Sequence, residues 1–143
     1  SPVVWEVDAD RRTGAIGYEV IDPKADQKRY YKTIVDVSGD ASLLDTLISC
    51  LAPGGEIVLA GFYDAPMTFS FPQAFMREAR IRVAAQWQPK DLLAVKNLAE
   101  SGRLSLDGLI THHASPHQAD QAYRQAFSDK DCLKMVLDWR TLQ

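Results

Sequence analysis

The chain has 143 residues, of which 46% are hydrophobic and 24% are charged, and its formal net charge is −3. These values are typical of one soluble globular domain, and no apolar run approaches the roughly 20 residues needed to cross a bilayer. Lys and Arg residues are scattered along the sequence, so it lacks the basic patch that nucleic-acid binding requires. We expect a cytoplasmic protein without a transmembrane segment that does not bind nucleic acid.

The chain opens directly on an element of regular structure. Pro2 to Asp8 has the apolar pattern of a buried strand, and Asp10 to Arg12 is predicted to be a loop or a short helix. Gly14 to Gly17 interrupts the pattern, and Tyr18 to Ile21 forms a further short strand. Natural domains seldom begin inside a strand, because chain termini usually carry loose polar residues. We therefore expect the natural protein to contain more chain before Ser1.

The clearest pattern is TIVDVSGDASLLDTLISCLAPGGEIVLAGFY, which starts at Thr33. Thr33 to Ser38 is a short apolar run with β-branched residues, typical of a buried strand. Pro53 to Gly55 turns the chain, and Glu56 to Gly61 is a second strand. Between them either Asp40 or Ser42 caps a helix, whose apolar face is formed by Leu43, Leu44, Leu47, Ile48 and Leu51.

A strand, a helix and a strand in this order predict a βαβ unit with parallel strands. In such sheets ligands bind at the carboxyl ends of the strands. Those ends are Val37 to Gly39 and Ala60 to Phe62, where we expect a nucleotide.

The remaining elements continue the alternation of strands and helices. Met67 to Phe71 suits a sheet edge or an interface, and Pro72 to Ala79 is predicted to be a short helix. Arg80 to Gln86 reads as a strand at the sheet edge, because charged and apolar residues alternate in it. Pro89 to Ser101 is an amphipathic helix with Leu92, Val95, Leu98 and Ala99 on its inward face.

The last part contains a strand, a helix and a strand: Leu109 to His113, a helix to Phe127 that begins at Ser115-Pro116, and Cys132 to Asp138. We predict an α/β fold: an incomplete Rossmann-type, mostly parallel sheet with flanking helices, followed by C-terminal strand–helix–strand elements.

Asp8 is a candidate for cofactor contact. In dinucleotide-binding folds an acid at the end of this strand accepts hydrogen bonds from the adenosine ribose. A turn or helix-capping role explains the same residue equally well. The glycine loop G-x-G-x-x-G that should precede such an acid is missing, because Gly14-Ala15-Ile16-Gly17 has the wrong spacing. Either the domain does not bind a nucleotide, or the chain lacks its natural start.

Neither a metal centre nor a catalytic group is predicted within this chain. His112, His113 and His117 fit no zinc pattern, and polar surface residues are the better interpretation. Cys50 and Cys132 are far apart in sequence and are predicted to be reduced thiols. The sequence contains neither a G-x-S-x-G motif nor a P-loop.

Five segments together resemble the cofactor-binding half of the medium-chain dehydrogenases/reductases, the alcohol dehydrogenase superfamily. They are VVWEVD, IVDVSGD, LAPGGEIVLAGFY, LAESGRLSLDGLITH and LKMVLDW. The resemblance runs from Val3 over nearly the whole chain. It implies an NAD site in which Asp8 meets the adenosine ribose, Arg11 or Arg12 lies beside the adenine, and Lys134 reaches the pyrophosphate.

The same resemblance implies contacts to the riboses and to the nicotinamide. The ribose contacts would come from Val37, Ser38 and Gly39. Backbone groups of Ala60, Gly61 and Phe62 would meet the nicotinamide carboxamide, with Ala85 and Gln86 on its far side. Residues 1–108 would form the truncated dinucleotide-binding domain, and residues 109–143 would pack on a catalytic domain that lies upstream of Ser1, with any zinc ligands and proton-relay residues.

The implied activity is hydride transfer to NAD from a secondary alcohol, the 3-(1-hydroxyethyl) group of a chlorin in bacteriochlorophyll synthesis. The chain alone is expected to be inactive, since the family's catalytic residues lie outside it. The resemblance also implies a homodimer through Met67 to Phe71 and Arg80 to Gln86.

Two alternatives stay open at this point. LAPGGEIVLAG also suits an S-adenosylmethionine-dependent methyltransferase, although the segments ITHH and LKMVLD have no place in that fold. A non-catalytic nucleotide-binding or dimerisation module is the other alternative, because a fold-level match does not settle function. A G-x-G-x-x-G encoded immediately upstream would favour the dehydrogenase.

Overall fold

The computed structural model describes residues 2–13 and 17–142. The chain forms two compact units, Ser1–Gln86 and Trp87–Gln143. The first unit contains strands β1 (Val3–Trp5), β2 (Glu19–Ile21), β3 (Tyr31–Asp36), β4 (Leu51–Leu59) and β5 (Arg80–Val83), with helices α1 (Leu44–Ser49) and α2 (Phe71–Met76). The second contains helices α3 (Pro89–Glu100) and α4 (Ala119–Ser128) and strands β6 (His112–Ala114) and β7 (Met135–Leu137).

A three-stranded parallel sheet in the order β3-β4-β5 is the centre of the first unit. The strands lie in register, so that Asp36 is opposite Leu59 and Leu59 is opposite Val83. Helix α1 lies between β3 and β4 in the chain and is preceded by a 3-10 turn at Ala41–Leu43. The predicted βαβ unit with parallel strands is therefore confirmed.

Strand β4 is longer than predicted and includes the expected turn. It starts at Leu51 and runs through Pro53-Gly54-Gly55, where the pairing with β3 shifts register between Tyr31 and Thr33. Gly54 has φ +71°, and its amide donates to the carbonyl of Arg77 at 2.8 Å. The glycine pair thus forms a bulge within the strand, because glycine adopts the positive φ without a steric cost.

The hydrophobic core lies between α1 and the three-stranded sheet. Its fully buried side chains include Ile48, Leu51 and Ile57, each 0% exposed. The predicted helix face is confirmed, since Leu44, Leu47 and Ile48 all belong to this core. Asp40, one of the two predicted caps, caps the 3-10 turn before α1, because its Oδ1 accepts from the Ser42 amide at 2.9 Å, whereas α1 itself follows Leu43 and has no side-chain cap.

Strands β1 and β2 form a separate parallel pair, in which Trp5 lies opposite Ile21. Trp5 packs against the core of the three-stranded sheet. Its indole also meets the ring of Tyr31 edge to face, with 6.3 Å between ring centroids. Aromatic packing therefore connects this small sheet to the core.

The second unit has a parallel β6-β7 pair with α4 between the two strands in the chain. Ala122 is its buried helix residue, whereas Tyr123 and Phe127 of the same helix are 60% and 87% exposed. Of the α3 residues predicted to face inward, Leu98 and Ala99 are half-buried, whereas Leu92 and Val95 are exposed. The prediction was therefore wrong for Leu92 and Val95, because periodicity identifies an apolar face and does not supply the layer that covers it.

The overall class is the predicted one: mostly parallel strands with flanking helices, as in a Rossmann-type domain. The chain divides into its two compact units between Gln86 and Trp87. The predicted functional boundary between residues 108 and 109 stays a prediction. The predicted chain break at Gly14 to Gly17 lies largely at residues 14–16, outside the described residues. None of the helices in the described ranges has the length and apolar character that crossing a membrane requires.

A buried carboxylate, Asp26, joins β1 to the start of β3. Asp26 is 5% exposed, and its Oδ2 accepts from the Trp5 indole at 2.9 Å and from the Tyr31 hydroxyl at 2.5 Å. Its Oδ1 accepts from the Lys28 amide at 2.9 Å. Burial alone would raise the pKa of Asp26, but the hydrogen bonds outweigh it and hold the pKa below its ordinary value.

Asp26 therefore makes the stability of the protein depend on acid pH. Because its pKa is lower in the folded state, the ionised side chain stabilises the fold above the unfolded pKa of about 3.9, and this contribution disappears as the pH falls through the folded pKa. We expect the free energy of unfolding of the wild type to fall more steeply between about pH 5 and pH 3 than that of Asp26→Asn. Urea denaturation over this pH range measures the difference, with Asp64→Asn as the charge control. Parallel curves for the wild type and Asp26→Asn would contradict the role of Asp26.

Candidate functional site

The carboxyl ends of β3, β4 and β5 form one continuous edge. The residues after these strands are 37–39, 60–62 and 84–86, and the strand register places the three segments side by side. The Ala60 and Gly61 amides donate to the main-chain carbonyl of Asp36 at 2.8 and 3.0 Å, and the Ala84 amide donates to that of Leu59 at 2.9 Å. The structure thus brings together eight of the predicted cofactor-binding residues: Val37, Ser38, Gly39, Ala60, Gly61, Phe62, Ala85 and Gln86.

Gly39 and Gly61 allow two of these segments to approach closely. A Cβ atom on Gly39 would lie 2.9 Å from the Phe62 carbonyl oxygen, and one on Gly61 would lie 3.1 Å from the Gly39 amide nitrogen. Gly39 also has φ +76°, which L side chains rarely adopt. Position 39 therefore requires glycine, whereas a side chain at position 61 would force the Gly39 backbone or the Tyr63 ring to shift by a few tenths of an ångström.

Asp36 and Tyr63 join the same two segments and were missed by the sequence reasoning. Asp36 is 6% exposed, and its Oδ2 accepts from the Tyr63 hydroxyl at 2.8 Å. Its Oδ1 accepts from the Ser38 amide at 2.9 Å. Burial and the neighbouring Asp36 carboxylate raise the pKa of Tyr63 to about 12, so that the hydroxyl stays a donor at neutral pH. An acid that closes an apolar strand was the signal for Asp36, whereas nothing in the pattern indicated Tyr63.

Apolar side chains project from the edge. Val37 is 71% exposed and Phe62 is 92% exposed, although both directly follow core strands. Ala85 and Gln86 after β5 are exposed as well. Exposed apolar groups beside closely packed backbone are typical of a surface that receives a flat ligand, because such sites combine apolar contact with a few polar groups.

Asp8, Arg11 and Arg12 form a second cluster after β1. The Asp8 Oδ1 accepts from the Asp10 amide at 3.1 Å, so the carboxylate also shapes the 3-10 turn at Asp10–Arg12. Arg12 donates to the main-chain carbonyls of Glu6 and Val7, each at 2.8 Å, and forms an ion pair with Asp22 at 3.0 Å. Arg11 is exposed. Of the two arginines, Arg11 therefore extends into solvent, while Arg12 stabilises the local fold.

Lys134 lies in the second unit, just before β7, and is exposed. His112 in the same unit approaches Asp129, with 3.6 Å between Nε2 and Oδ2. Across residues 2–13 and 17–142, no group of three or more His, Cys, Asp or Glu side chains could hold a metal ion. Cys50 is buried, and both Cys50 and Cys132 are free thiols.

The chain is similar in sequence to two bacterial dehydrogenases. It is 60% identical over 139 residues to the 2-desacetyl-2-hydroxyethyl bacteriochlorophyllide A dehydrogenase of Cereibacter sphaeroides, covering 97% of this chain and 44% of that protein. The protein of the same name from Rhodobacter capsulatus is 58% identical with the same coverage. The chain thus resembles these dehydrogenases over nearly its whole length, as the medium-chain dehydrogenase/reductase motifs predicted. No protein-family model matches it.

The fold of the chain agrees with this similarity. The crystal structure of an alcohol dehydrogenase from Escherichia coli, complexed with NADH, superimposes with a TM-score of 0.82 at 19% identity, covering 96% of this chain and 44% of the other. The chain spans less than half the length of the curated relatives that it matches. The sequence similarity confirms the predicted resemblance and favours a dehydrogenase over a methyltransferase.

The geometry at the strand ends fits the nicotinamide dinucleotide that dehydrogenases of this family use. With glycine at positions 39 and 61 the segments 37–39 and 60–62 lie close together, and Val37 and Phe62 provide apolar surface next to them. Asp8 follows strand β1, the kind of position at which dinucleotide-binding folds carry an acid for the ribose.

The close approach at Gly39 predicts that adding a methyl group there lowers the free energy of unfolding more than adding one at a glycine with open space around it. Gly39→Ala combines a positive φ with a contact of 2.9 Å, whereas Gly54→Ala has φ +71° and nothing within 4 Å of the new Cβ. The backbone conformation costs about 1 kcal/mol in both variants. We expect Gly39→Ala to lower the free energy of unfolding by about 1–3 kcal/mol more than Gly54→Ala, because the added methyl group overpacks the site. Equal losses for the two variants in urea denaturation would contradict the close approach.

Proposed function

We propose that this chain is the cofactor-binding part of an NAD-dependent alcohol dehydrogenase. The proposed substrate is the 3-(1-hydroxyethyl) group of a chlorin, which is oxidised to an acetyl group. The observation that supports this proposal most strongly is the 60% identity, over 97% of the chain, to a dehydrogenase named for a hydroxyethyl bacteriochlorophyllide. We further propose that the protein acts in the cytoplasm in bacteriochlorophyll synthesis, as its two free thiols support.

In this proposal the described residues bind and orient the cofactor. Because Gly39 and Gly61 lack side chains, the segments 37–39 and 60–62 pack against each other, and their backbone groups are proposed to contact the dinucleotide. Val37 and Phe62 cover the apolar parts and exclude water from them. Lys134 is proposed to neutralise pyrophosphate charge.

The reaction removes a hydride from the carbinol carbon and a proton from its hydroxyl group, which leaves a ketone. When bound, NAD supplies the redox chemistry by accepting that hydride. Since this chain is proposed to supply only binding and orientation, we expect no turnover from the chain alone.

Asp8 is proposed to select NAD over NADP. A carboxylate at the end of this strand accepts hydrogen bonds from the ribose hydroxyls, and it repels a 2′-phosphate. Arg12 is held by Asp22 and two carbonyls, so it has little capacity to neutralise a phosphate. Arg11 is exposed, and its attraction would be screened by salt. The balance of these charges favours NAD.

Asp8→Ser tests the cofactor site and the cofactor preference together. Serine retains an oxygen that can accept from the Asp10 amide, so the turn survives while the charge disappears. We expect NAD to bind more weakly and NADP more tightly in the full-length protein, so that the ratio of the two dissociation constants moves by roughly tenfold or more. Titration of both cofactors by fluorescence measures that ratio.

Asp10→Ser is the matched control, because it removes the same charge from an exposed neighbour of Asp8. A ratio that stays at the wild-type value in Asp8→Ser shows that Asp8 serves only the turn. A wild-type protein that binds neither cofactor would contradict the proposed function as a whole.

The proposed assembly is a homodimer through the segments 67–71 and 80–86. In the described part of the chain β5 pairs only with β4, and all four of its residues are exposed. Beside it lies an exposed apolar patch made of Phe69, Phe71, Phe75 and Met76. An unpaired strand edge next to such a patch recruits a partner, and a two-fold axis lets two copies cover each other. Met67, the first residue of the segment 67–71, packs against the core and so supports the segment from the inside of the unit.

Phe69→Lys should separate the two subunits. Phe69 is 45% exposed and belongs to the apolar patch, so a lysine there would be buried without a partner in the dimer. We expect sedimentation of the full-length variant to show monomer at concentrations where the wild type is a dimer. Tyr30→Lys, which places a lysine on an exposed aromatic residue of the first unit outside the apolar patch, controls for charge. A Phe69→Lys variant that remains as dimeric as its parent would place the interface elsewhere.

A further inference from the structure

Asp36 is a buried acid at the end of β3 whose contacts all lead to the candidate cofactor site. Its carboxylate accepts from the Ser38 amide on one oxygen and from the Tyr63 hydroxyl on the other. Its main-chain carbonyl accepts from the amides of Ala60 and Gly61. One residue thus connects the segment after β3 with the segment after β4.

The hydrogen bond between the Asp36 carboxylate and Tyr63 connects Asp36 to a residue beyond those that its main-chain carbonyl contacts. The Ala60 and Gly61 amides continue the strand pairing, whereas Tyr63 lies beyond it and returns to Asp36 across 27 positions of sequence. Phe62 lies between Gly61 and Tyr63, and its carbonyl is the atom that a Cβ on Gly39 would meet. The hydrogen bond from Tyr63 therefore fixes both ends of the segment that lies against Gly39.

We propose that the hydrogen bond between Tyr63 and Asp36 positions the two backbone segments, 37–39 and 60–62, as one preformed surface for the dinucleotide. This inference rests on the proposed function and makes Tyr63 a positioning residue. A preformed surface binds more tightly, because the ligand does not have to order it. Without the hydroxyl group the segment 60–63 gains freedom, and binding must supply the ordering free energy.

A second hydrogen bond between a tyrosine and a buried aspartate lies away from this edge and provides a matched control. Tyr31 donates to buried Asp26 as Tyr63 donates to buried Asp36, and the pKa of each tyrosine is raised to about 12 by burial and by its aspartate. Tyr31 and Asp36 are the first and last residues of β3, so Tyr31 lies at the end of the strand opposite the candidate site. Tyr31→Phe and Tyr63→Phe each remove one hydroxyl group and keep the ring.

Cofactor titration of the full-length protein separates positioning from stability. We expect both variants to lower Tm by about 2–4 °C, since each loses one hydrogen bond to a buried carboxylate. We expect only Tyr63→Phe to raise the dissociation constant of NADH, by about tenfold. If both variants change NADH affinity equally, or neither changes it, the positioning role is overturned.

Hydrogen exchange of the cofactor-free protein provides a second readout that needs no ligand. In Tyr63→Phe the amides of residues 37–40 and 60–63 should exchange faster than in the wild type, while in Tyr31→Phe they should not. Unchanged exchange in Tyr63→Phe overturns the inference even if its NADH affinity falls. A wild type that fails to bind NADH overturns both the proposed function and the positioning of a cofactor, and the exchange data then decide only whether the two segments are coupled.

Discussion

The parallel pairing of β3, β4 and β5 in register is the constraint on which the candidate site depends. Because Asp36 lies opposite Leu59 and Leu59 opposite Val83, the three strands end at the same level. The chain leaves each strand within reach of its neighbour, and the segments meet where glycine is required, at Gly39, and where it fits closely, at Gly61. Core packing of α1 against the sheet holds this register. The site is therefore a consequence of sheet geometry rather than of a particular reactive side chain.

Two buried carboxylates have complementary tasks in the first unit. Asp26 joins β1 to the start of β3 through Trp5 and Tyr31, whereas Asp36 joins the segments at the other end of β3. Each is satisfied by neutral donors, and burial of a charge is tolerated only with such hydrogen bonds. The first acid connects the small β1-β2 sheet to β3, and the second connects the two segments of the candidate cofactor edge. The same chemistry thus supports both ends of β3.

The sequence predicted the parts of the fold that follow from local pattern. The strand at Thr33 to Ser38, the apolar face of α1 and the candidate residues at the strand ends all follow from periodicity and turn residues. The bulge at Pro53 to Gly55 could not be predicted in this way, because a glycine pair is equally typical of a turn between elements and of a bulge within a strand. The contact of Tyr63 with Asp36 spans 27 positions, and no local pattern encodes it. The exposure of Leu92 shows the same limit, since an apolar face does not reveal what covers it.

Hydrogen exchange of the full-length protein with and without saturating NADH tests the central claim most directly. The account predicts that NADH protects the amides of residues 37–39, 60–62 and 84–86, with further protection around Asp8. The β1-β2 strands themselves and helix α1 should change little, because they support the edge without meeting the ligand. Protection confined to other segments, with these three unchanged, would show that the carboxyl edge of β3-β4-β5 is not the dinucleotide surface.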